Sequence, residues 1–61
     1  MVCVGAFGNL RLYRTETSYD LAWVTHGESW EIISRELVES YPLTLEGQAR
    51  AITALWGKGA N

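Results

Sequence analysis

Few side chains in this 61-residue sequence are equipped for chemistry: one histidine, one cysteine, a few hydroxyls and a run of carboxylates. The imidazole of His26 could take a proton from a hydroxyl or thiol, but only from one within hydrogen-bond reach. Ser18, Thr25, Ser29 and Cys3 are the available neighbours, and no spacing selects any of them. A reactive thiol must also be exposed and low in pKa, whereas a small thiol in an apolar strand is ordinarily buried and inert. His26 therefore reads as a surface or capping residue, not a general base.

Asp20, Glu28, Glu31, Glu36 and Glu39 could in principle supply a carboxylate pair or an acidic metal site. Either would need a cleft, and a chain this short can hardly enclose one. A structural zinc site needs about four ligands, and Cys3 and His26 are the only good ones. Gly5, Gly8, Gly57 and Gly59 make no phosphate-cradling pattern. The expectation is a protein that is not an enzyme and uses no cofactor or metal.

Composition narrows the function classes further. The formal charge is −2 and the pI is near 5.1, which disfavours binding through phosphate neutralisation. The best nucleic-acid surface is the short basic and aromatic run Arg11, Tyr13, Arg14, with only two cations. No apolar run approaches the ~20 residues of a membrane span, and Met1–Asn9 lacks the basic start of a signal peptide. The sequence reads as a soluble cytoplasmic protein. One domain covers residues 1–61, too small to be stable without help. With no disulfide within the chain and no metal, oligomerisation is the remaining staple.

Several elements can be placed. Val2 to Phe7 and Leu10 to Arg14 form a hairpin closed at Gly8-Asn9, because glycine supplies the positive φ such two-residue turns need. Closure there pairs Phe7 with Leu10, Gly5 with Leu12 and Val4 with Tyr13, and leaves room over Gly5 for a large side chain. Thr15-Glu16-Thr17-Ser18 is a turn, and Tyr19 to Val24 is a strand with Leu21 and Trp23 on one face. Thr25 to Tyr41 has helical periodicity: Trp30, Ile33, Leu37 and Tyr41 fall at i, i+3, i+7 and i+11. Thr25 and Glu28 would form its capping box, Glu31 and Arg35 an i,i+4 pair, and Tyr41-Pro42 its end.

Thr44 caps a further helix, Leu45 to Trp56, with Gly57 as its C′ glycine and residues 58–61 as a frayed tail. Its apolar stripe is Leu45, Ala49, Ile52 and Trp56. Gly47, Ala51 and Ala54 line the opposite side, as helix-favouring solvent positions or as a track for close backbone approach. The expected architecture is α+β: a three-stranded antiparallel meander followed by two α-helices packed on one face. Two packed helices without a true sheet are the rival. Burial of Trp23, Trp30, Trp56 and Phe7 would supply much of the core.

The function this suggests is a small acidic protein-binding module, a regulator or inhibitor acting on another protein, with phage accessory proteins as a size analogy. A homo-oligomer is expected. Ile32, isolated among Glu28, Glu36 and Glu39 on the polar side of the first helix with Arg35, is the predicted contact. The alternatives are a small DNA-binding domain using Arg11, Tyr13 and Arg14, and a structural subunit of a larger assembly.

Overall fold

The computed structural model describes residues 1–59. Four strands, β1 (Val2–Phe7), β2 (Leu10–Arg14), β3 (Ser18–His26) and β4 (Ile32–Pro42), precede one helix, α1 (Leu45–Gly59). The strands form an antiparallel meander in the order β1-β2-β3-β4. α1 packs on one face of the sheet and leaves the other open. The α+β class and the C-terminal helix stand; the sheet has four strands, not three, and one helix, not two, covers it.

The first hairpin forms as its turn chemistry dictates. Gly8 takes φ 61° and Asn9 does not, which fits a type II′ turn. Phe7 pairs with Leu10 and Gly5 with Leu12, but Cys3, not Val4, faces Tyr13, because a bulge at Val4 adds one residue to β1. The space over Gly5 is taken by Leu55 of α1: a Cβ on Gly5 would stand 2.8 Å from its Cδ2.

Leu10, Leu12, Leu21, Ala51 and Leu55 make the buried cluster, with Phe7, Tyr19, Val38, Tyr41 and Ala54 packed round it. Leu12 and Leu21 are cross-strand partners, so β2 and β3 present one apolar face to the helix. The helix meets that face with its small side. Gly47, Ala51 and Leu55 are its buried residues, at four-residue spacing. A Cβ on Gly47 would run into the Pro42 carbonyl, so only glycine lets the chain turn this sharply from β4 into α1.

The expected stripe is thereby inverted: Leu45, Ile52 and Trp56 are exposed. Thr44 does cap α1, its Oγ1 accepting from the Gly47 N–H at 2.9 Å. Glu46 and Arg50 form an i,i+4 ion pair at 2.7 Å. The helix runs on through Gly57 to Gly59, so Gly57 is not its C′ residue and Lys58 and Gly59 are helical. Ala60 and Asn61, the rest of the expected tail, lie outside the described residues.

The main departure is Thr25 to Tyr41. It holds no helix: Thr25 and His26 end β3, Gly27 to Glu31 make a turn, and Ile32 to Pro42 are β4. Two bulges interrupt the β3–β4 register, one between Leu21 and Ala22 and one between Thr25 and His26. Tryptophan contributes little to the core. Trp23, Trp30 and Trp56 are 39%, 81% and 60% exposed, although Trp56 does pack edge-on to Phe7 with ring centroids 4.8 Å apart.

Candidate protein-contact surface

β3 and β4 outrun the rest of the sheet. β2 pairs with β3 as far as Leu10 opposite Trp23, and a bond from the Val24 N–H to the Asn9 carbonyl (2.8 Å) ends that contact. Beyond it, Thr25 pairs with Ser34 and His26 with Ile32, so the two strands continue as an arm supported only by each other. The molecule is correspondingly long, 37 × 26 × 15 Å.

The loop at the end of this arm has a defined geometry. The Gly27 N–H donates to the Glu31 carbonyl (2.8 Å) and the Trp30 N–H to the Gly27 carbonyl (3.1 Å). That is a three-residue hairpin loop, Glu28-Ser29-Trp30, whose last residue must turn left-handed. Trp30 does so, with φ 64°, where glycine or asparagine is the ordinary choice. The residue is 81% exposed, and its ring lies 5.9 Å from the His26 ring between centroids. Ile32 and Ile33 follow at once and are also exposed, with Glu28 and Glu31 beside them in the loop. The tip is thus apolar at its centre and acidic at its margin.

The residues expected to form one acidic contact face are distributed by the strand. Ile32 and Arg35 pair with His26 and Val24 and share the open face of the sheet. Glu36 and Glu39 pair with Trp23 and Leu21 and lie on the helix side, while Glu28 is in the loop. Arg35 has an internal role: its Nε donates to the Tyr13 hydroxyl (3.3 Å) and its guanidinium lies 5.2 Å from the centre of that ring. Glu39 accepts a 2.6 Å bond from the Tyr41 hydroxyl. Partial burial, then this bond and the carboxylate charge, push the Tyr41 phenol up to about 12. Of the five, Glu28 and Ile32 belong to the arm tip. Trp30 and Ile33, read from the sequence as core, are the residues that join them.

The basic strand is divided in the same way. Arg11 and Tyr13 point to the open face and Arg14 to the helix side. Tyr13 is only 5% exposed beneath Arg35, and the Arg11 guanidinium donates to the Gly8 and Leu10 carbonyls. The three residues form no common surface.

The other chemical candidates are similarly separated or engaged. His26 and Ser18 stand at opposite ends of β3, about 26 Å apart at ~3.3 Å per residue. The Ser18 hydroxyl donates to Asp20 (2.7 Å), which also accepts from Ser40 (2.9 Å). Among the described residues no group of three or more His, Cys, Asp or Glu gathers as a metal site. No described helix is long and apolar enough to cross a membrane. Comparison of the chain with protein-family models, with curated proteins and with solved structures returns no match.

Proposed function

We propose that the chain is a small protein-binding module whose contact element is the tip of the β3–β4 arm. The observation that carries this reading is Trp30, a bulky residue held left-handed and exposed at a position glycine would occupy without strain. Such a conformation costs about 1–2 kcal/mol, and the fold recovers little of it through packing. Tryptophan is also the side chain most concentrated at binding hot spots. With Ile32 and Ile33 beside it and Glu28 and Glu31 at the margin, the tip suits a partner with an apolar pocket rimmed by basic groups.

The test uses the whole chain and its Trp30→Gly variant as matched baits in extract from the native host, with recovered proteins quantified by mass spectrometry. A tryptophan hot spot is worth about 2 kcal/mol or more, so the specific partner should be recovered about 30-fold less well by the variant. Equal recovery of every retained protein by both baits refutes the reading.

A further inference from the structure

We propose that the chain forms a two-fold dimer by antiparallel pairing of β1 with β1 of a second copy, extending the four-stranded sheet to eight strands. The two edges of the sheet are built differently. β4 carries Arg35, Glu36, Glu39 and Pro42 and is bent by two bulges, the ordinary devices that stop an edge from pairing. β1 reads Val-Cys-Val-Gly-Ala-Phe, with no charge and no proline, and has a single bulge. Among the described residues no strand pairs with its outer backbone groups, which stand at the edge of the sheet. One edge is guarded and the other is left competent to pair.

The side chains around β1 fit such a contact. Val2 and Val4 are half-exposed or more, and Ile52 and Trp56 of α1 are exposed on the same flank, Trp56 against Phe7. Between strand and helix runs a groove of about 280 Å³ that includes Val4 and Ile52. An α1 stripe that the chain's own sheet leaves bare therefore lies beside the unguarded strand. A standard interface takes about 800 Å² from each partner, roughly a fifth of this chain's 4262 Å². That burial would supplement a small core, whose cluster beneath α1 is Leu10, Leu12, Leu21, Ala51 and Leu55.

A second copy supplies an edge of the same length and the same lack of charge. Two acidic chains of net −2 repel over most of their surfaces, but β1 against β1 brings uncharged strand to uncharged strand. A two-fold axis near Val4 also carries the Val2 end of one copy, where Met1, Arg14 and Glu16 lie, to the Phe7 end of the other. That is the end at which α1 finishes, with Lys58 in its last turn.

The proposal is independent of the arm, since it uses the opposite edge strand. Light scattering of the full chain at ~100 μM should give twice the 6.8 kDa chain mass. Val4→Lys, a charge placed on the pairing strand, should raise the dimer dissociation constant at least 30-fold, while Leu37→Lys on β4 should leave it unchanged. A second measurement needs no substitution. Cys3 is the sole cysteine and is exposed, and an axis near Val4 sets the two Cys3 Cα atoms about 8 Å apart. A short bismaleimide should therefore link two wild-type chains. A wild-type monomer, which would leave this edge bare or to a strand of another protein, overturns the proposal. So does a folded Val4→Lys chain that dimerises as wild type does, or a bismaleimide reaction giving single-chain adducts alone.

Discussion

Replacing Trp30 by glycine separates a binding residue from a folding residue, because the two roles have opposite signs in stability. A left-handed non-glycine residue costs about 1–2 kcal/mol, and glycine relieves that cost. Glycine also adds about 0.5–1 kcal/mol of chain entropy to the unfolded state. With the residue 81% exposed, Trp30 contributes little burial, and its contact with His26 is a tilted pair at 5.9 Å, worth a few tenths of a kcal/mol. The balance is a change between zero and about 1 kcal/mol in favour of the variant. For a domain of this size 1 kcal/mol shifts Tm by about 4–8 °C. Thermal and urea unfolding followed by circular dichroism, at matched chain concentration so that association does not enter, would measure it. A variant destabilised by more than about 1 kcal/mol would show that Trp30 is packed and serves the fold, and would refute its role as a binding residue.

Three further outcomes follow from the packing. Gly47→Ala should destabilise the fold, although alanine gains about 0.5–1 kcal/mol over glycine at an exposed helix position, since its Cβ meets the Pro42 carbonyl; a chain more stable than wild type in urea would contradict the close approach of α1. Leu21→Ala removes a fully buried side chain from the middle of the sheet and should cost about 2–5 kcal/mol by the same measurement; a loss below 1 kcal/mol would mean the core lies elsewhere. The Tyr41 phenol, raised from 10.0 to about 12, is favoured in its protonated form by folding. Its contribution to stability is complete below pH 10 and is lost as pH rises through 12. Glu39→Gln should bring the phenolate transition of Tyr41 back toward 10, read as a change in the ultraviolet titration; an unchanged titration would refute the coupling.

Those elements whose local chemistry agrees with their final environment can be read from the chain alone. The Gly8-Asn9 turn, the Leu21 and Trp23 face of β3, the Thr44 cap and the room above Gly5 are of this kind. Thr25 to Tyr41 misleads for a physical reason. β4 is an edge strand, so most of its residues are exposed and polar–apolar alternation is weak. Its two bulges, at Ile33 and Val38, each insert an extra residue and shift the period of two. Spacings of three and four residues result, which resemble one face of a helix. The contrary signals were local: Gly27 at the head of a short polar loop, then the β-branched pair Ile32 and Ile33. For the arm tip itself, tryptophan at a left-handed position gives no composition signal, because glycine or asparagine is what such loops ordinarily show.

The inverted face of α1 has a different cause, and it links the core to the exposed flank. Ranking helix positions by side-chain size assumes that the largest apolar residues are the ones buried, yet the tight Pro42-to-Gly47 turn brings α1 too close to the sheet for them. Gly47 and Ala51 are what that separation admits, and Leu55 enters only where Gly5 gives it space. Once the small side is turned inward, Ile52 and Trp56 must face outward beside β1. The close approach that makes the core compact is therefore also what produces an apolar flank next to an unguarded strand. On this reasoning Gly47→Ala should do more than destabilise the chain. By pushing α1 away from the sheet it should displace Ile52 and Trp56 from β1 and weaken the dimer, at a chain concentration where the variant is still folded. A folded Gly47→Ala variant that dimerises as tightly as wild type would show that the helix flank takes no part in the contact and that β1 alone carries it.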